Sequence, residues 1–316
     1  MSTRFGKVGV LMGGASSERG VSLMSGAGVL AALKGAGINA HGFDTGVRSL
    51  AQLAAEKFDC VFIALHGRYG EDGSLQGALE LMGIPYTGSG VMASAIAMDK
   101  LMTKRIWVSH GLPTPDFMQL NDDATLRDVP DRLGLPLMLK APHEGSTLGI
   151  VKIQGYSDMK SGFAEVRKFE DVVLAEQFIS GRELTVAILG RGKNARCLPI
   201  VEIKAPGGNY DFHHKYVSDD TRYLCPAPLP AALAQRMHAL SLQAYNAIDC
   251  EGWARVDFML RDQDQAPFLL EINTSPGMTG HSLVPIAAKA AGIGYAELCV
   301  EILSSARSKI KGSTQQ

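Results

Sequence analysis

Charge of one sign is what this chain lacks most plainly. Its 316 residues carry 31 lysines and arginines against 32 aspartates and glutamates, a formal net charge of −1. No arginine-rich patch stands out, so neither nucleic acid nor an anionic membrane surface is expected as a partner. Cysteine is scarce too. Cys60, Cys197, Cys225, Cys250 and Cys299 are odd in number, far apart and mostly set in apolar runs, which argues against a disulfide framework and for reduced core thiols. No run approaches about 18 apolar residues, and the start MSTRFGKVGVLMGG holds no long apolar region. Neither a membrane span nor a secretory signal is therefore expected, and the expected location is cytoplasmic. Internal repeats and low-complexity tracts are missing as well. At 316 residues the chain has room for two or three packed domains, because single cores stop growing near about 250–300 residues.

What is present is polarity inside strand patterns. The stretch from Gly252 to Leu283 reads GWARVDFMLRDQDQAPFLLEINTSPGMTGHSL. Strand residues two apart share a face, so Arg255 and Asp257 point one way while Ala254, Val256, Phe258 and Leu260 point the other. In the run from Phe268 to Asn273, Glu271 and Asn273 share a face, Leu270 and Ile272 take the opposite one, and RDQDQAP between the runs reads as a hairpin loop. Two like charges about 4 Å apart repel by roughly 4 kcal/mol at an effective dielectric near 20, so the cluster calls for a cation. Asp257, Glu271 and Asn273 offer oxygen only, which suits Mg²⁺ or Mn²⁺ rather than zinc. On pattern alone, a surface hairpin with alternating charges is the alternative. The second strand ends in Asn273-Thr-Ser-Pro-Gly277, a turn whose N–H groups can face an anion.

Upstream, the strand at Lys7 to Met12, the glycine turn after it and a helix from Val21 to Lys34 open like a doubly wound sheet. A dinucleotide site would also begin this way, but the Gly-x-Gly-x-x-Gly spacing is missing. Strands are expected at 39–43 and 59–65, with a helix at 49–57 between them. The loop His66-Gly-Arg-Tyr-Gly-Glu-Asp-Gly73 follows, where α/β sheets bind ligands. Helices are expected at 75–82 and 92–110, then an extended segment at 114–120 and a polar helix at 122–133. LPLMLK and IVKI read as strands around the glycine loop APHEGSTLG, a helix spans 157–169, and VVLAEQFI, ELTVAILG and ARCLPIVEIK continue the sheet. Residues 206–230 are periodic in neither sense, and a connection of that length points to function. Helices at 230–248, 283–291 and 295–308 complete the chain. The expected domains are 1–95, 96–184 and 185–316.

Six blocks carry a resemblance: GGASSERGVSLMSG, FIALHGRYGEDGSLQGALELMGIPYTGSGVMASAIAMDK, KAPHEGSTLG, HKYVSDDTRYLCPA, GWARVDFML and LLEINTSPGMTGHSLVP. Together they make the chain similar to the D-alanine–D-alanine ligases of the ATP-grasp superfamily, over nearly its full length. The resemblance implies an α/β ATP-grasp fold with an N-terminal parallel-sheet domain and central and C-terminal domains holding ATP between them. It also implies ligation of two D-alanines through a D-alanyl phosphate for peptidoglycan, with two Mg²⁺ or Mn²⁺ ions and a homodimer.

Residue by residue, Asp257, Glu271 and Asn273 match the family's metal ligands, and Arg255 and the Gly277 N–H match donors to the acyl phosphate and tetrahedral intermediate. Lys100, Lys140 and Lys215 match phosphate-binding lysines. Glu176, Gln177 and Ile179 match the adenine-lining segment, and Glu183 the ribose ligand. Gln177 departs from the lysine commonly found there. Ser146, Tyr216 and Glu18 match a linked set over the first D-alanine, while His66, Ser282 and Leu283 match the second substrate's site. Each also has a plain structural reading: a solvated surface lysine, a salt-bridged arginine, a first-turn helix acid for Glu18, an N-cap for Ser282. Gly20 departs from the family's common glutamate, with an expected effect confined to helix entry. A D-lactate or D-serine ligase of the same fold is the nearest alternative. The pair Lys215-Tyr216 favours the dipeptide over it. A silent ATP-binding module should have lost Arg255 or a metal ligand, and none is lost.

Overall fold

The computed structural model describes residues 3–145, 148–205 and 220–310. Three sheets organise them. The first is parallel, in the order β2-β1-β3, from β1 (Val8–Met12), β2 (Ala40–Asp44) and β3 (Cys60–Ile63). Helices α1 (Arg19–Gly35), α2 (Leu50–Ala55) and α3 (Ser74–Met82) connect and follow these strands. Every residue of β1 is buried, as the central strand of a sheet covered on both faces must be. Tyr86 bridges to Val61 at the β3 edge and to Arg307 near the other end of the chain.

The expected helix over 92–110 is instead two helices, α4 (Val91–Met98) and α5 (Lys100–Ser109). Asp99 leaves the helical region at ψ 100°, and its carboxylate accepts the N–H groups of Leu101 at 2.9 Å and Met102 at 3.0 Å. A side chain that caps the second helix breaks the continuous one, and it places Lys100 in the first turn of α5.

The second sheet is antiparallel, in the order β4-β7-β5-β6, from β4 (Phe117–Leu120), β5 (Leu137–Lys140), β6 (Ile150–Ile153) and β7 (Val173–Gln177). α6 (Val129–Leu133) and α7 (Met159–Val166) cover it. Of the polar helix expected at 122–133 only the last turn forms, beginning at Val129-Pro130, where proline suits a first turn.

The third sheet runs β11-β10-β8-β12-β13, with β9 also paired to β8. Its strands are β8 (Gly181–Arg191), β9 (Arg196–Cys197), β10 (Val201–Lys204), β11 (Arg222–Leu224), β12 (Glu251–Arg261) and β13 (Pro267–Asn273). Two expectations change here. ARCLPIVEIK is two strands rather than one, and the aperiodic stretch 206–230 contributes β11, paired antiparallel with β10. Helix α8 (Ala231–Ala247) packs on one face. On the other, α9 (Leu283–Ala290) and α10 (Tyr295–Ser304) share a core with the first sheet: Val8, Val10 and Phe62 meet Leu283, Leu298 and Ile302 in one cluster. The C-terminal helices thus weld the first and third sheets together.

All five cysteines are free thiols. Burial pushes Cys60 up to about 11 and Cys250 up to about 12, so both are inert neutral side chains. Among the described residues no single helix is long and apolar enough to cross a membrane.

Candidate active site

The hairpin of β12 and β13 pairs Arg255 with Asn273 and Asp257 with Glu271, and directly opposed residues share a face. The four polar side chains therefore stand together, while Ala254, Val256, Phe258 and Leu260 are buried behind them. One detail differs from the strand pattern. A register shift after Asp257 sets Phe258 opposite Leu269, so Leu269 rather than Leu270 takes the buried face. A bulge inserts one residue and moves everything beyond it to the other side.

Asp257 is encircled by donors. Arg255 Nε lies 2.8 Å from its Oδ1 and the terminal guanidinium nitrogen 2.7 Å from Oδ2, a bidentate pair. Thr185 Oγ1 donates at 2.7 Å and Asn273 Nδ2 at 3.1 Å. Lys100 Nζ stands 3.3 Å from Glu271 Oε2 and donates to the Glu144 carbonyl at 2.8 Å, tying the hairpin to the glycine loop. Among the described residues no group of three or more His, Cys, Asp and Glu is gathered as a metal ion would require. The donor set of two carboxylates and one amide nonetheless suits a hard cation. Arg255 then has to leave Asp257, and Asn273 has to present its carbonyl oxygen.

Lys100, Arg255, Glu271 and Asn273 border a cleft with about 920 Å³ of open space, lined also by Glu18, His66, Glu71, Gly145, Gly277, Ser282 and Leu283, with Asp257 buried behind Arg255. Every part of the fold contributes. Glu18 precedes α1 and is 9% exposed. A side chain on Gly145 would come within 3.2 Å of Glu18 Oε2, so the glycine loop passes directly over that acid. His66 ends the segment after β3. Its Nδ1 lies 2.8 Å from the Ser275 carbonyl, which can only accept, so Nδ1 carries the proton. Ser25 Oγ accepts the Met278 N–H at 3.1 Å and has its own hydrogen for His66 Nε2 at 3.1 Å. Burial holds the His66 pKa below its ordinary value, so the ring is neutral. Gly277 lies so near Ser282 that a Cβ would stand 2.8 Å from the Ser282 hydroxyl oxygen. Ser282 itself does not cap α9. Its oxygen accepts the Thr279 N–H at 2.9 Å instead.

The remaining expected residues lie apart from that cleft, on the second sheet and on β8 of the third. Lys140 ends β5 opposite Leu174, while Glu176 and Gln177 at the end of β7 stand opposite Met138 and Leu137. Lys140 pairs with Glu176 Oε1, whereas Ile179 is buried and Glu183 stands on β8 opposite Met259. Ser146, Lys215 and Tyr216 lie outside the described residues.

Several groups were not found from sequence. Glu71, within the His66–Gly73 loop, accepts the Gly67 N–H at 2.8 Å and the Ser275 N–H at 3.3 Å. Burial, then the negative charge of Glu18, push its carboxyl up to about 8, so it is mostly protonated at neutral pH. Lys104 is fully buried, 2.7 Å from Glu176 Oε2. Its signal was a lysine within the buried stripe Leu101, Lys104, Trp107 of α5. His143 pairs with Glu170 at 2.6 Å and Asp99 at 3.4 Å, a contact no local pattern announces.

Comparison with known proteins agrees with this geometry. The family model for the D-alanine–D-alanine ligase C-terminus matches residues 106–304, and that for the N-terminus residues 38–89. Relatives named D-alanine–D-alanine ligase include those of Bordetella petrii, 67% identical over 96% of this chain and 93% of that protein, and Bordetella pertussis, 65% identical over 100% of each. The solved D-alanine–D-alanine ligase of Bacillus anthracis superposes with a TM-score of 0.83 at 36% identity, covering 95% of this chain and 96% of that one. The same enzyme complexed with ATP gives 0.82 at 35% identity, with the same coverage. With its full length matched and its polar hairpin, glycine loop and His66 gathered on one cleft, the chain belongs to the D-alanine–D-alanine ligase family and has the ATP-grasp fold.

Proposed function

We propose that this chain joins two D-alanines at the expense of ATP, releasing ADP, phosphate and the dipeptide used in cell-wall synthesis. The observation that carries this is the hairpin register, which sets Arg255 beside Asn273 and Asp257 beside Glu271, with Lys100 3.3 Å from Glu271. A basic pair within an acidic, oxygen-donor cluster is what in-line transfer between anions needs.

A carboxylate oxygen of the first D-alanine attacks the γ-phosphorus, an O–P bond forms, and the bond to ADP breaks. The free amine of the second D-alanine then attacks the acyl carbon. The tetrahedral intermediate expels phosphate as the amine gives up its proton. Arg255 and the Gly277 N–H face the charge that develops on phosphoryl and acyl oxygens. Glu18 receives the first ammonium, and neutral His66 with Ser282 and Leu283 the second substrate. Lys100, Lys140 and Lys215 hold phosphates; Glu176, Gln177, Ile179 and Glu183 hold the nucleoside; Ser146 and Tyr216 join the two loops over the substrates. Asp257, Glu271 and Asn273 would hold Mg²⁺ or Mn²⁺, whose chemistry is neutralisation of phosphate charge.

The same reading takes 1–95, 96–184 and 185–316 as the functional units, a homodimer as the working assembly and the cytoplasm as its place. D-Alanine labelled with ¹⁸O in its carboxylate tests the route. One labelled oxygen should appear in the released phosphate. Unlabelled phosphate formed together with dipeptide would exclude the acyl phosphate.

A further inference from the structure

Four residues after Lys100, on the same helix, stands a lysine with no solvent exposure. An ammonium in such a place needs partners, and Lys104 Nζ has three. Glu176 Oε2 lies 2.7 Å away, Thr114 Oγ1 2.5 Å and the Pro115 carbonyl 3.5 Å. Thr114 sends its own hydrogen to the Leu269 carbonyl at 2.8 Å, so it must accept from Lys104. Three acceptors match the three hydrogens of a charged amine. Through them Lys104 links α5, β7 of the second sheet and β13 of the third.

The other oxygen of Glu176 is taken by Lys140. One buried carboxylate therefore serves two ammonium groups, one sealed and one, Lys140, with 14% of its side chain exposed. Asp116 is the further charge acting on Lys104. Burial alone would raise the Glu176 pKa, but the charges of Lys104 and Lys140 outweigh it and hold the carboxyl below its ordinary range. Two cations look excessive for one acid until a nucleotide arrives. For Lys140 to turn to a phosphate oxygen it must leave Glu176. Were it the only counter-ion, its departure would strand a buried carboxylate, which proteins accommodate by protonating the acid.

We propose that Lys104 is a positioning residue for nucleotide binding: the counter-ion that stays, keeping Glu176 ionised and fixed while Lys140 passes to a phosphate. This rests on the nucleotide site proposed above and adds to it a residue that touches neither ATP nor D-alanine.

Calorimetry of MgADP binding in two buffers of different ionisation enthalpy reads both affinity and proton uptake. Wild type should bind without a proton entering at Glu176. Lys104→Met should bind roughly a hundredfold more weakly and take up close to one proton. Adding Glu176→Gln to Lys104→Met removes the stranded acid and should abolish that proton uptake, and Lys104→Arg should behave nearly as wild type. A purely packing role would weaken binding in Lys104→Met with no proton taken up, and that result overturns the proposal. So does wild-type proton uptake that disappears in Glu176→Gln, a test that does not depend on Lys104→Met folding. If wild type fails to bind MgADP at all, the nucleotide site falls and this inference with it; tight wild-type binding matched by Lys104→Met removes the inference alone.

Discussion

Arg255 is held by two hydrogen bonds to Asp257, at 2.8 and 2.7 Å, and borders the cleft. On the proposed mechanism, replacing it with alanine removes a donor to developing charge, worth about 3 kcal/mol or roughly two orders of magnitude in kcat. Steady-state ADP release checks this, and a loss below tenfold would leave Arg255 a structural partner of Asp257. Gly277→Ala places a methyl 2.8 Å from the Ser282 oxygen. The KM for D-alanine should rise while that for ATP holds, and a rise in both would indicate a general collapse of the turn. At Gly20 a Cβ meets nothing within 4 Å, so Gly20→Glu should leave both KM values alone. Glu71 carries a pH signature. Its carboxyl is raised from 4.5 to about 8, so folding favours its protonated form. That contribution is complete below about 4.5 and is lost as pH rises through about 8. Thermal melts of Glu71→Gln should therefore decline less between pH 5 and 9 than those of wild type; parallel curves would contradict the buried acid. Arg255, Asp257, Glu271 and Asn273 were legible in sequence because strand alternation fixes their face. Glu71 and Lys104 were not, because their partners Ser275 and Glu176 are far away along the chain.

At the scale of elements, what sequence periodicity could not see was interruption. Helical spacing runs straight through 92–110, yet Asp99 caps α5 and bends the path, and that bend brings Lys100 to Glu271 and the glycine loop. A bulge at the hairpin likewise exchanged Leu269 for Leu270 without disturbing Asp257 and Glu271. The same Asp99 takes part in a clasp at the base of the glycine loop. His143, 2.6 Å from Glu170 and 3.4 Å from Asp99, is pushed from 6.5 up to about 9 by hydrogen bonds to Asp99 and Glu170. Its stabilisation is full below about 6.5 and lost as pH rises through about 9. Partial exposure screens the pair, so the worth is about 1 kcal/mol or less. His143→Gln should melt below wild type at pH 6 and coincide with it above pH 10. A gap that persists at high pH would show packing, not charge, at work.

At the scale of the whole molecule, the cleft exists because three sheets meet. Glu18 and His66 come from the first, the glycine loop from the second and the hairpin from the third, and the core of Val8, Val10, Leu283 and Ile302 fixes the first against the third. Composition could suggest several domains but not this shared core, since the residues that form it are hundreds of positions apart. Specificity and chemistry are therefore joint properties of all three sheets. The most direct test is to incubate the protein with ATP, Mg²⁺ and either D- or L-alanine, identifying the amino-acid product and following ADP, with Arg255→Ala beside it. ADP release with the D isomer alone, yielding D-alanyl-D-alanine and collapsing in the variant, is the predicted result. ADP release without dipeptide, or equal turnover with L-alanine, would contradict the account.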